Sequence, residues 1–288
     1  MVSAKAKNTD NKNESKVTLE LKEWGKALVY AVIFGTIIRL FMFETMMVPT
    51  PSMVPAIEVG DRLFVEKITY DFKTPNYGDI VVFWAPHVDK QALEMLRPFD
   101  KFMNMFSPAE FKGHVKYVKR LVGKPGDTLE LKIAPEYEES RQTLLSFPVD
   151  SQARYQIYIN GELKAELEGQ RYSRVGIFAE PEFYKGLAHP DQVYSMYDEY
   201  FKYYQQVIDY TGYYDETLKP LDMEKYIERD PSTNFVEVTI PDGFYFFMGD
   251  NSENSFDSRF FGFVPEKNII GAPMLRIWHI SRFGPIQR

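Results

Sequence analysis

The chain has 288 residues, enough for one sizeable domain with insertions or two smaller ones, and a formal net charge of -7. That acidity excludes a general nucleic-acid binder, which needs a basic face to neutralise phosphates. The absence of cysteine removes disulfides, thiolate catalysis and Cys-ligated metals, and four histidines without an HExxH pattern leave no basis for a histidine-rich metal site, so no metal or cofactor is expected.

Taken in chain order, residues 1–26 form a polar, lysine-containing leader too poor in apolar residues to pack, and are expected to be a disordered tail. The next 17 residues, "ALVYAVIFGTIIRLFMF" from Ala27 to Phe43, reach just far enough at about 1.5 Å per residue to cross a ~30 Å hydrocarbon core with help from the flanks. Arg39 lies four residues from the end, where its stem can snorkel. A buried core helix and a cleavable signal peptide are the competing readings. The length of the leader and the lack of a small-x-small site after "FMFETMMVP" favour a retained anchor. Lys12, Lys16, Lys22 and Lys26 precede this segment and only Arg62 follows closely, which predicts a cytoplasmic tail and an extracytoplasmic remainder, residues 44–288.

Beyond the anchor, short alternating apolar runs between turn signals predict a mainly β region: "DRLFVEKITY", "GDIVVFWAP", "HVKYVKRLVGKPGD", "TLELKI", "YQIYINGELKAEL", "FVEVTIPDGFYFFMGD" and "APMLRIWHI". Asn160-Gly161 between "YQIYI" and "ELKAEL" predicts a type I′ hairpin. Two insertions interrupt this pattern, at about 87–113 and 130–235. The first reads as short amphipathic helices broken at Pro98; the second carries Tyr194, Tyr197, Phe201 and Tyr204 at helical spacing. Such an aromatic stripe is more often packing than a ligand site, although contact with an unknown partner stays open.

Three stretches carry groups suited to chemistry. In "VKYVKRLVG" the two-residue period puts Tyr117, Lys119 and Leu121 on one face, and Lys116, Val118 and Arg120 on the other. Lys119 either snorkels from an edge or is buried, and burial would disfavour its charged form, leaving an amine able to act as a general base. In "VPTPSMVP", Pro51 and Pro55 restrict the backbone around Ser52, while an ordinary turn serine is the plain alternative. "GDNSENSFDSRFFGFVP", Gly249 to Pro265, lacks the spacing of an EF-hand loop and reads as a side-chain-to-backbone bonded loop that shapes a site.

With "PSMVPAIEVGDRLFVEK" after an anchor, then "YGDIVVF", "YVKRLVGKPGD" and "GDNSENSFDSRFFGFVP" in that order, the chain resembles the bacterial type I signal peptidases, membrane-anchored Ser/Lys proteases that remove signal peptides from exported proteins. The blocks cover about a quarter of the chain; the leader and insertions lie outside them. The resemblance implies a signal-peptidase-like β catalytic core preceded by one transmembrane helix. It makes Ser52 the nucleophile, Lys119 the general base and Ser255 the serine that orients the lysine. It gives Thr50 and the Ser52 N–H as the oxyanion hole, with Arg120, Asp250, Asp257 and Arg259 supporting the site and Arg120 pairing with Asp250. Met53, Ile57, Tyr117 and Val118 become candidates for the shallow apolar pockets that accept Ala-x-Ala ends. Implied partners are signal-peptide-bearing preproteins and membrane lipid. Three positions depart from the family pattern: Thr50 where a serine is common, Pro51 for the usual glycine, and Ser252 where an arginine is common. Self-cleaving repressors share the Ser/Lys chemistry but need no anchor. A membrane-tethered binding or assembly protein with an inactive protease-like site is the alternative from another class.

Overall fold

The computed structural model describes residues 3–86, 90–138, 154–173, 175–178, 223–229 and 235–286. It divides into two compact units, residues 1–44 and 45–288.

The first unit is dominated by helix α1, Ser3–Phe41. Within it, the 24 residues Thr18–Phe41 are apolar enough and long enough to cross a membrane, about 36 Å at 1.5 Å per residue. Leu28, Val32, Ile33, Phe34, Ile37 and Phe41 are all exposed among the described residues. A helix of this length and apolar composition suits lipid. It begins far upstream of the boundary expected at Ala27 and takes in the leader that was expected to be unstructured. Once nucleated, a helix propagates cheaply through lysine, glutamate and alanine, and Glu23 pairs with Lys26 at 2.9 Å one turn on. The helix stops at Phe41 because strand β1, Phe43–Met47, follows at once.

The second unit is mainly β. Its larger sheet runs β1, β2 (Arg62–Glu66), β11 (Ile269–Trp278), β3 (Ile80–Trp84), β4 (Lys116–Gly123), β9 (Phe244–Met248), β10 (Val264–Pro265), with β12 (Gly284–Pro285) also on β11. A second sheet has the order β6 (Tyr155–Ile159), β5 (Thr128–Ile133), β8 (Val236–Thr239), β7 (Ile227–Arg229). Strand β3 is buried along its whole length, as expected of a central strand covered on both faces. Among the described residues the chain passes between the sheets after β4 and after β8. "KPGD" makes the first turn, with Gly126 at φ +82 and the Asp127 carboxylate accepting from the Lys124 N–H. The crossovers are bonded to each other, Gly126 N–H to Ile240 O at 2.9 Å and Ile240 N–H to Asp127 O at 2.8 Å.

One apolar cluster joins both sheets, including Val122, Leu129, Ile157, Val238, Phe246 and Phe263. Two smaller ones pack against the larger sheet: Met53, Ile57, Leu63, Val65, Val82 and Val118 in one, and Val81, Phe83, Leu121, Phe247 and Phe261 in the other.

Helix α2 (Thr69–Phe72) follows β2, and the region 87–113 contains helices α3 (Lys90–Met95) and α4 (Pro98–Asn104), with Pro98 in the first turn of α4, a position its missing N–H tolerates. The second expected insertion holds ordered structure: β6, β7 and parts of β5 are strands of the smaller sheet rather than material outside the β core. Asn160 and Gly161 both have positive φ, +52 and +78, so the tight turn forms. "ELKAEL" does not continue as its partner strand; only Ile159 bridges Glu162, a 3₁₀ turn follows at Ala165–Leu167, and β6 pairs with β5. The tyrosine stripe at 194–204 lies outside the described residues.

Candidate active site

Ser52 sits in the loop between β1 and β2. The mouth of this loop is closed by Val48 N–H to Asp61 O at 2.9 Å and Gly60 N–H to Val48 O at 2.8 Å. Inside it, Val54 N–H reaches Pro51 O and Ile57 N–H reaches Met53 O, while Met53 and Ile57 anchor the loop in the core. The buried Asp61 carboxylate accepts from the Glu58 N–H and faces Arg276 and Arg282 at 2.9 and 2.7 Å. Arg276 also donates to Ala56 O at 2.6 Å. Ser52 is thus a buried side chain on a loop fixed at several points.

Lys119 comes from β4, opposite Val81 in β3. Its Nζ donates to Ser52 Oγ at 2.7 Å and to Val118 O at 3.1 Å, and lies 5.1 Å from the centre of the Tyr117 ring. Lys119 is 4% exposed and Ser52 3%, so the contact is removed from bulk water. The Thr50 hydroxyl donates to Ser52 Oγ at 3.3 Å.

The loop after β9 closes the other side. Asn251 N–H donates to Ser52 O at 3.0 Å, and Asn251 Nδ2 to Pro51 O at 3.1 Å. Gly249 has no side chain because none would fit: a Cβ there would lie 2.2 Å from Ser255 Oγ and 2.6 Å from Ser52 O. Ser255, read as the residue that orients the lysine, donates its hydroxyl proton to Asp257 Oδ2 at 2.6 Å.

Two buried ion pairs flank these groups. Arg120 Nε and Nη2 form a fork on Asp250 at 2.7 and 2.6 Å, and Nη1 reaches Gly78 O at 2.6 Å. Burial alone would lower the Arg120 pKa, but the Asp250 carboxylate more than reverses this and holds it above its ordinary value. Arg259 Nε and Nη2 grip Asp257 at 2.9 and 2.7 Å. Burial alone would raise the Asp257 carboxyl; Arg259, the Ser255 hydroxyl and the Gly249 N–H outweigh it and hold the group below the usual carboxylate range. Ser252 Oγ accepts from Arg259 Nη1 at 2.6 Å and from the Ser173 N–H at 2.9 Å.

Of the candidate pocket residues, Met53, Ile57 and Val118 are buried in one apolar cluster and Tyr117 is half-buried at the edge of another. A cavity of about 190 Å³ elsewhere on the larger sheet, lined by Tyr70, Asp79, Ile80, Pro273 and Ile286 among others, includes none of the four. Reading the sequence did not single out Asn251, Asp61 or Tyr172. Asn251 lay within a loop already read as making side-chain-to-backbone bonds. Asp61 and Tyr172 were not singled out because the arginines they meet, Arg276 and Arg282 for Asp61 and Arg259 for Tyr172, are distant in sequence.

A β scaffold that brings a lysine amine onto a serine hydroxyl, away from water, is suited to acyl transfer, the chemistry of a hydrolase. The family follows from comparison: the chain belongs to the signal peptidase family, peptidase S26, whose model matches residues 21–278. It is 26% identical over 280 residues to a probable signal peptidase I-2 of Synechocystis sp., covering 96% of this chain and 83% of that one. It is 25% identical over 274 residues to a signal peptidase I of Leptolyngbya laminosa, covering 95% and 88%. With a signal peptidase I of Aquifex aeolicus it shares 28% identity over 254 residues, covering 85% and 78%.

Proposed function

We propose that this protein is a membrane-bound serine endopeptidase that removes N-terminal signal peptides from exported preproteins after small-x-small ends, typically Ala-x-Ala. The observation that carries the reading is the 2.7 Å bond from Lys119 Nζ to Ser52 Oγ between two buried side chains. Desolvation disfavours an ammonium, so Lys119 can serve as a neutral base without histidine. In the mechanism, Lys119 takes the Ser52 proton as Oγ attacks the scissile carbonyl. The Ser52 N–H and Thr50 hydroxyl receive the oxyanion, and Ser255 keeps the lysine in place. Protonated Lys119 then gives its proton to the leaving amine, and water hydrolyses the acyl-enzyme. Arg120, Asp250, Asp257 and Arg259 hold the surrounding loops. Met53, Ile57, Tyr117 and Val118 shape the apolar subsites for a substrate bound as an extended strand.

Helix α1 tethers the enzyme to the cytoplasmic membrane, where its substrates' own apolar segments reside. The lysines before the span support a cytoplasmic N-terminus, with residues 44–288 on the outer, periplasmic side. The test is cleavage of a lipid-reconstituted Ala-x-Ala preprotein by wild type, Ser52→Ala and Lys119→Ala across pH. Cleavage after the second alanine, with an ascending limb well below a free lysine's value of about 10.4 and two dead variants, supports the reading. Inert wild type on several preproteins, or an active Ser52→Ala variant, overturns it.

A further inference from the structure

Ser252 departs from the residue expected by resemblance, and its surroundings give it a definite task. The Arg259 guanidinium is completely buried and directs three of its N–H groups along separate lines: two onto the Asp257 carboxylate, and one from Nη1 onto Ser252 Oγ at 2.6 Å. The same Ser252 oxygen accepts from the Ser173 N–H at 2.9 Å, tying it to a segment that lay within the second expected insertion. That segment closes over the arginine. The buried Tyr172 ring lies 5.5 Å from the guanidinium carbon, and Gly176, at φ +52, packs so closely that a Cβ would stand 2.3 Å from Arg259 O.

From Arg259 the bonds lead towards the reacting groups. Asp257 Oδ2, gripped by the guanidinium, accepts from the Ser255 hydroxyl at 2.6 Å and the Gly249 N–H at 2.9 Å. Ser255 Oγ and the Ser52 carbonyl both crowd the same side of Gly249. The orientation of the guanidinium therefore sets that of the carboxylate, and the carboxylate sets the rotamer of Ser255. With its proton committed to Asp257, the Ser255 oxygen keeps its lone pairs for another donor.

We infer that Ser252, braced by the Tyr172–Ser173 backbone, is a positioning residue that acts through Arg259, Asp257 and Ser255 on the Ser52 and Lys119 pair. This inference rests on the proposed Ser52/Lys119 function. A positioning role of this kind affects the chemical step more than substrate affinity, because the Ser252 bonds to Arg259 and the Ser173 N–H lead to the Asp257 and Ser255 groups beside the reacting pair.

The experiment compares wild type, Ser252→Ala, Ser252→Thr and Tyr172→Leu in lipid, measuring kcat and KM for one preprotein, the rate of Ser52 labelling by a serine-directed phosphonylating probe, and the thermal midpoint. Ser252→Ala is expected to lower kcat and the labelling rate roughly 10-fold with KM within about twofold, and Ser252→Thr, which keeps the oxygen, to recover most of both. Tyr172→Leu is expected to lower kcat in the same direction, and provides the test if Ser252→Ala fails to fold. A folded Ser252→Ala or Tyr172→Leu enzyme with wild-type kcat and labelling overturns the inference. So does a loss of rate no greater than the loss of folded protein. Ser52→Ala, run alongside, separates the two failures: if it still cleaves, the proposed function falls, whereas a dead Ser52→Ala beside an unaffected Ser252→Ala removes only the positioning role.

Discussion

The backbone N–H of Asn251 donates to the carbonyl of Ser52 at 3.0 Å, so a loop 199 residues further along the chain fixes the nucleophile's own peptide. The Asn251 side chain adds a second bond to Pro51 O at 3.1 Å. Asn251→Ala keeps the first and deletes the second, together with the 3.3 Å bond that Asn251 Oδ1 accepts from Asn254 Nδ2. A neutral hydrogen bond contributes about 0.5–1.5 kcal/mol, so kcat should fall roughly 2- to 12-fold while the protein stays folded. Steady-state cleavage of a reconstituted preprotein checks this; an unchanged kcat would mean that the backbone bond alone holds the loop.

The Arg120 and Asp250 pair is buried on both sides and bonded as a fork. Removing one partner strands the other charge, whereas removing both does not. Arg120→Met and Asp250→Leu should each cost about 3–5 kcal/mol in urea unfolding of the lipid- or detergent-held protein, and the double variant clearly less than the sum. Additive losses would show that the pair does not act as a unit.

Asp257 supplies the pH dependence. Its carboxyl is held below the usual range, so the unfolded chain binds more protons than the folded one at pH values between the two pKa values. Its stabilising contribution is complete above the unfolded value of about 3.9 and is lost as pH falls through the lower folded value. Asp257→Asn should lose about 3–5 kcal/mol at neutral pH by leaving the Arg259 charge uncompensated, and should lose less further stability than wild type on acidification below about pH 4. Unfolding midpoints measured from pH 7 to pH 2 test both statements.

Much of this arrangement was legible in the sequence wherever the signal was local. The two-residue period of "VKYVKRLVG" defined β4, Asn160-Gly161 defined a tight turn, and Pro98 marked the start of α4. Local pattern could not tell whether Lys119 snorkelled or was buried, because the serine that meets it is 67 residues earlier. "TLELKI" and "YQIYI" were read as strands, but their pairing with each other, and strand β7, were not, for a related reason. Residues 155–159 pair with β5, but the hairpin signal pointed forward to "ELKAEL", which makes a single bridge before turning into a 3₁₀ segment. The N-terminal boundary of the helix also moved, since polarity alone does not stop a helix that an apolar segment has nucleated.

Gly249 offers the sharpest test of how little slack the site has. Its φ is not in the left-handed region, so alanine could adopt the backbone; the obstacle is space, with a Cβ falling 2.6 Å from the Ser52 carbonyl and 2.2 Å from Ser255 Oγ. The first of these atoms belongs to the main chain and cannot rotate away, so the two loops must separate. Displacement of a nucleophile by about 1 Å can cost on the order of 100-fold in rate, whereas overpacking a core position by one methyl costs only about 1–3 kcal/mol in stability. Gly249→Ala should therefore remain largely folded at 25 °C yet lose on the order of 100-fold in kcat, with KM changed far less. If activity instead tracks the folded fraction measured by circular dichroism, the tight contact around Gly249 matters for stability alone, and the spacing of Ser52 from Ser255 is not what sets the rate.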